Sequence, residues 1–436
     1  MNGSIGTQRS KGRGRRTAGA AAVAALTLVV AGCGGGGGGG DEGGNVPGVT
    51  ADSIKLGTTQ PLTGPAAPGY ARISKAMTAW FEHVNEQGGI NGRDIELVVE
   101  DDGYNPTNTA SKTRQLVLQD KVFALVGALG TPTHTSVLDF IRQNKIPDLM
   151  VSSGSLSWNQ PDKYPYTFGW QVDYEREGKI LATYAKEKLA GKTYCSFGQG
   201  DDLGTDGVKG VEAILGADAL KAKESYTVSN TNVAPAIGKL QAAGCDVVFS
   251  FSIPAFTALG VGTAAKLGYR AQWVVSNVGG DPSALQAYLK ENAKPLLEGM
   301  ISSEYFASPD DSENSFIKLF EEVNKKYNPD MPLDRTLVYG YALAYTATQA
   351  LAAAGEDLTR ESLVEAMEKG GFEGPGLTPF AYSEDDHSGY TGAVVTQIKD
   401  LKVSHVSPVY VTGHGDDPVE EHEAEAVEAP ANGIPE

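Results

Sequence analysis

This sequence has few cations, few histidines and little cysteine: 436 residues hold 36 Lys plus Arg against 54 Asp plus Glu, six His and three Cys, for a net charge of −18. The cation shortage argues against nucleic acid as a partner, because neutralising phosphates needs clustered Lys and Arg, and against adhesion to anionic lipid by charge. No pair of His stands at metal-binding helical spacing, and beyond residue 30 no apolar run approaches the length of a membrane span. A phosphate loop ending in Gly-Lys-Ser/Thr is missing, and Gly154-Ser155-Leu156-Ser157 lacks the closing Gly of a nucleophile elbow. Gly198 to Gly204 resembles a dinucleotide loop only superficially, since its third Gly is one place late and Asp201-Asp202 would repel a pyrophosphate. Asp101-Asp102 beside Gly103 lacks calcium-loop spacing. The expectation is a protein that is not an enzyme and carries no cofactor or metal.

What is present begins at the N-terminus. Arg9, Lys11, Arg13, Arg15 and Arg16 precede an apolar run from Ala18 to Val30, the pattern of an export signal. Its ending, Val30-Ala31-Gly32-Cys33, resembles the bacterial lipoprotein cleavage box. That resemblance implies a signal peptide over 1–32, a lipid on Cys33 as anchor, and residence on the extracytoplasmic face of the plasma membrane. Residues 33–52, with their Gly34 to Gly40 run, read as a flexible tether. Without the five signal cations, 31 basic residues face 54 acidic ones, a mature charge of −23. Residues 413–436 carry acids and no Lys or Arg, and read as a disordered solvated tail in which His414 and His422 are incidental.

Between tether and tail, strand and helix patterns alternate. Strands are expected at Ile54 to Thr59, Ile95 to Glu100, Val122 to Gly127 and Asp148 to Ser152, with helices near 70–86, 108–119 and 133–143. The rhythm restarts after Trp170, with strands at 193–197, 225–228, 246–251 and 272–276 separated by helices. Helices at Leu337 to Ala354 and Glu361 to Lys369 come too late for an unbroken second half, and strands at 393–398 and 406–411 finish the chain. Such alternation means α/β architecture with two doubly wound parallel-sheet lobes. Cys195 and Cys245 fall at strands of the same half; the exported compartment permits a disulfide, and the sequence leaves pairing and two free thiols both open.

In this architecture ligands bind in loops at the carboxyl ends of strands. Leu129-Gly130-Thr131-Pro132 ends a strand and opens a helix, with Thr131 suited to be N-cap and Pro132 to follow it. Ser152-Ser153-Gly154-Ser155 supplies three hydroxyls and a Gly for close approach. Together these loops are candidates to seat a small carboxylate or amide. Tyr70, Trp158 and Trp170 frame the same region as candidate walls.

Further residues carry a resemblance. Ser53-Ile54-Lys55-Leu56-Gly57 with Pro61-Leu62-Thr63-Gly64-Pro65, then Val84 to Arg93 (VNEQGGINGR) and Glu100-Asp101-Asp102, is similar to the solute-binding proteins of branched-chain amino acid and amide ABC transporters, the Leu/Ile/Val-binding family with the type I periplasmic-binding fold. The resemblance implies two lobes joined by three crossovers, 53–172 with 302–378 and 173–301 with 379–412. It implies a monomer that captures a small ligand, such as a branched-chain or other hydrophobic amino acid, and hands it to membrane permease subunits. An amide, a short carboxylic acid, an aromatic acid, or a sensing role without transport are the alternatives. By position, Leu129, Gly130, Thr131 and Ser152 to Ser155 match the family's seat for carboxylate and amino group, and Tyr70 its aromatic wall. On the second lobe, Leu203 and Ile253 replace aromatics, and Asn277 stands where an acidic partner for the ligand ammonium is expected. Asp202 and Asp281 are substitutes for that partner. Tyr104 and Gly130 replace the cysteines of a first-lobe disulfide found in some relatives.

Overall fold

The computed structural model describes residues 46–424 and 427–435. The signal peptide over 1–32, Cys33 and the glycine run lie outside the described residues. Where the tether was expected to run on to 52, Val46 and Val49 already pack against the core, and Gly48 O accepts from Lys55 N at 2.7 Å.

Two sheets organise the chain. The first has the order β2-β1-β3-β4-β5 and is parallel throughout, with β1 at Ser53–Gln60, β2 at Asp94–Asp101, β3 at Ala124–Val126, β4 at Asp148–Val151 and β5 at Thr167–Gly169. The second contains β6 (Tyr194–Gln199), β7 (Leu220–Tyr226), β8 (Val247–Phe251), β9 (Gln272–Val275) and β10 (Ile301–Glu304) in parallel. It is extended by antiparallel β11 (Gly392–Lys399), β12 (Lys402–Thr412) and β13 (Val419–His422). The second sheet is therefore mixed, where a purely parallel one was expected. Buried runs such as Val247–Phe251 fit a sheet covered on both faces.

The helix Ile73–Glu86 shows why such segments are legible: Ile73, Ala76, Met77, Trp80, Phe81 and Val84 recur at helical spacing and are buried. The late helix Arg335–Ala353 lies against it so closely that a Cβ on Gly340 would stand 2.6 Å from Ile73 O. Only glycine fits there. Helix starts are fixed by side-chain caps, among them Asp173 to Arg176 N, Asp201 to Leu203 N and Asp334 to Leu337 N.

The chain passes between the sheets at Trp170, at Tyr305–Phe306 and at Tyr390. The second passage is later than the expected boundary at 302, because Ile301–Glu304 still pairs with β9 and β11. The rings from these passages meet: Trp170 is fully buried, with its centroid 5.2 Å from Phe306, 5.7 Å from Tyr390 and 4.8 Å from Tyr339.

The expectation of a disordered tail from 413 is corrected. Val419–His422 pairs with Val409–Thr412, Lys179 Nζ donates to Gly413 O and Asp417 O at 2.8 and 2.6 Å, and Gly415 N donates to Glu175 at 2.7 Å. A buried ammonium and an open strand edge both needed partners, and the acidic segment's backbone supplies them. Farther on, Ala429 N donates to Ser315 Oγ at 2.9 Å and Ile434 packs on the core beside the first-sheet helices, which makes a fourth passage.

Candidate functional site

A cavity with about 860 Å³ of atom-free space, mouth included, lies where the carboxyl ends of both sheets face each other. Loops after β1, β3 and β4 form one wall and loops after β8 and β9 the other. Eight of the residues expected from sequence line it: Tyr70, Leu129, Gly130, Thr131, Ser152, Ile253, Asn277 and Asp281.

The first wall is a hydroxyl cluster. Thr131 Oγ1 lies 2.8 Å from Ser153 Oγ and 3.2 Å from Tyr174 Oη, and Ser153 Oγ is 3.3 Å from Tyr174 Oη. Burial pushes the Tyr174 phenol up to about 12, so it stays protonated and remains a donor. Ser152 Oγ is buried and has no hydrogen-bond partner among the described residues. Thr131 is not the N-cap: Gly130 is, at φ 114, and Thr131 is the first helical residue. The left-handed backbone at Gly130 turns the chain one residue earlier than the Thr-Pro pattern suggests. The expected helix 133–143 divides into Thr131–Thr135 and Leu138–Asn144, and the Gly130 amide is taken by Ser152 O at 3.3 Å. Hydroxyls rather than a helix terminus therefore line this part of the cavity.

Five expected residues serve elsewhere, and Ser153 stands one layer behind the cavity as just described. Gly154 O accepts from Tyr174 N at 2.8 Å, behind the hydroxyl cluster. Ser155 Oγ and Ser157 Oγ donate to Asp202 Oδ2 at 2.6 and 2.8 Å, a contact between the walls outside the cavity. Leu203 is buried core, and Trp170 belongs to the aromatic cluster between the sheets. Asn277 brings no charge: its Nδ2 donates to Ser303 O at 2.9 Å. Asp101 and Asp102 are occupied by turns, accepting from Thr63 Oγ1 at 2.7 Å and Thr109 Oγ1 at 2.8 Å respectively. Cys195 and Cys245 form a disulfide with Cα atoms 5.8 Å apart.

Other lining residues escaped the sequence reading. Tyr104, Gln171, Tyr174 and Tyr339 add polar tips on apolar bodies, and Glu304 and Arg335 bring charge. Asp281 caps the next helix through Ser283 N at 2.8 Å, and burial raises its carboxyl above the ordinary range. The walls touch on several sides: Tyr70 Oη donates to Val278 O at 2.6 Å, Tyr288 Oη to Pro65 O at 2.9 Å, and Leu156 N to Asp206 Oδ2 at 3.0 Å.

Comparison with known proteins places this geometry. A family model described as periplasmic binding protein matches residues 53–402. The Leu/Ile/Val-binding protein homolog 2 of Brucella abortus (strain 2308) is 25% identical over 344 residues, spanning 75% of this chain and 85% of that one. The homolog 1 of Brucella melitensis is 25% identical over 338 residues, 73% of this chain and 84% of its own length. Among solved structures, a fatty acid ABC transporter substrate-binding protein from Thermomonospora curvata superposes with TM-score 0.74 at 25% identity, covering 84% of this chain and 94% of that one. A branched-chain amino acid ABC transporter protein from Thermus thermophilus with bound valine gives TM-score 0.72 at 18% identity, covering 84% and 98%.

Proposed function

Because the chain belongs to the periplasmic binding protein family and has its type I fold, we propose that it captures a small amphipathic ligand between its walls and presents it unchanged to an ABC importer's permease. One observation carries this reading: a single cavity gathers the Thr131 and Ser152 hydroxyls, Asp281 and the apolar surfaces of Tyr70, Ile73, Ile253 and Val278. A ligand carboxylate accepts from the hydroxyls and Tyr174, the ammonium on the same carbon turns toward Asp281, as a buried cation requires, and the apolar side chain lies against the ring and aliphatic surfaces. The ligand on this account is a branched-chain or other hydrophobic amino acid. Closure follows from the ligand's preference for the shut state, to which both walls contribute. A lipid on Cys33 would hold the protein on the extracytoplasmic face, beside its permease.

A second reading, an aliphatic carboxylic acid, is favoured by the 25% identity to a fatty acid-binding relative. Thermal-shift measurements with leucine, valine and the matching deaminated acids separate the two. Bound ligand raises apparent stability according to its concentration over its dissociation constant. Thr131→Ala with Ser152→Ala is expected to abolish the ligand-induced shift and leave the unliganded melting point within about 2 °C, since no large group leaves the core. An unaltered response to ligand in that variant refutes the seat.

A further inference from the structure

The cavity does not end at Asn277. It runs on to Ser302, Glu304, Arg335 and Thr396, past the space an aliphatic side chain would fill. Glu304 comes from β10 and Arg335 from the start of the late helix, so two passages of chain separated by 31 residues meet here. Arg335 Nε donates to Glu304 Oε1 at 2.8 Å, and its Nη2 lies 3.4 Å from Ser308 Oγ. Two groups of this pair lack a hydrogen-bond partner among the described residues. Glu304, only 4% exposed, leaves Oε2 without one, its nearest ionisable neighbour being the half-exposed His405, whose Nε2 stands 3.4 Å away. No acceptor for Arg335 Nη1 is found among the described residues, and the arginine side chain keeps 22% of its surface open.

The charges of the pair decide what fits. A ligand cation at this end gains from Glu304 and is opposed by Arg335; a ligand anion meets the reverse. A purely apolar end leaves a buried acceptor unpaired, which costs more than a made hydrogen bond returns. A neutral group with a donor and an acceptor side by side satisfies both partners, its N–H toward Glu304 Oε2 and its C=O toward Arg335 Nη1. We propose that the Glu304–Arg335 pair forms a second subsite of the cleft and takes a carboxamide at the far end of the ligand. The proposal rests on the reading of this cleft as an amino-acid site and narrows it: the preferred ligand has an apolar stem ending in an amide.

The test is calorimetric titration of the full chain with L-glutamine, L-norleucine, L-glutamate and L-lysine, alike at the α-carbon and different at the far end. Glutamine is expected to bind about tenfold or more tightly than the other three, the discrimination that paired hydrogen bonds give against analogues lacking them. Glu304→Gln leaves Arg335 uncompensated and is expected to turn the preference toward glutamate; Arg335→Met leaves Glu304 uncompensated and turns it toward lysine. Unliganded melting curves check that both variants fold, and the wild-type comparison stands without either. Norleucine binding as tightly as glutamine overturns the subsite while the cleft reading survives. Equal weakening of all four ligands by both variants also overturns it, because a structural pair would do the same. Binding of none of the four overturns the subsite together with the amino-acid reading.

Discussion

Ser155 Oγ donates to Asp202 Oδ2 at 2.6 Å, and this bond joins one wall of the cleft to the other without touching the cavity. Ser157 adds a second donor to the same oxygen at 2.8 Å. Because neither donor nor acceptor lines the cavity, these bonds are expected to act on closure rather than on ligand contact. Asp202→Ala is expected to weaken ligand binding about tenfold or more, since hydrogen bonds to a charged group contribute about 1.5–3 kcal/mol, with the loss appearing as faster release. Stopped-flow dissociation measures it. An unchanged release rate would show that the latch contributes nothing to closure.

Asp206 is expected to make closure depend on pH. Burial pushes its carboxyl up to about 7, with Asp202 and Asp173 adding in the same direction and the Leu156 amide and Lys209 opposing. Opening the jaws exposes the group and returns it toward the ordinary value of about 4. The closed form therefore holds an extra proton between about pH 4 and 7. This contribution to closure is complete below about 4 and is lost as pH rises through about 7. Affinity is expected to fall between pH 5.5 and 8, and Asp206→Asn to flatten the profile. Titrations in buffers of different ionisation enthalpy should record proton uptake on binding, absent in the variant.

The disulfide closes a loop of 50 residues in the second half. Loop-closure entropy assigns such a bridge about 4 kcal/mol of stability. Cys195→Ala with Cys245→Ala is expected to lower the melting temperature by several degrees while leaving ligand affinity nearly unchanged, because neither residue lines the cavity. Calorimetric melting of both forms checks this.

Ending the chain after Thr412 removes β13 and the partners of Lys179. The expected result is a melting point lower by about 5 °C or more and self-association through the uncovered β12 edge. Scanning calorimetry and sedimentation report the two effects separately.

Local patterns recovered most of the two parallel sheets. Asn91-Gly92 is a dipeptide that favours tight turns, and both residues take positive φ (52° and 77°) inside the Ile90–Arg93 bridge. The first-wall loops that line the cavity were legible because they follow strands directly. β10 was not: Ile301–Glu304 is short and mostly polar, and its burial depends on Ser303 donating to the Glu177 carboxylate, a partner 126 residues away. Composition marked the segment after Thr412 as solvated, but Lys179 and the β12 edge decided otherwise. Arg335 and Tyr339 reach the cavity from a helix about 200 positions beyond the Leu129 loop, which sequence spacing alone cannot announce.

Trp170, Phe306 and Tyr390 come from three different passages between the sheets and form one cluster, with ring centroids 5.2, 5.4 and 5.7 Å apart. Any rotation of one half against the other must rearrange the neighbours of that indole. The bending axis thus contains a chromophore of its own, and capture of a guest should register in intrinsic emission without a label being attached.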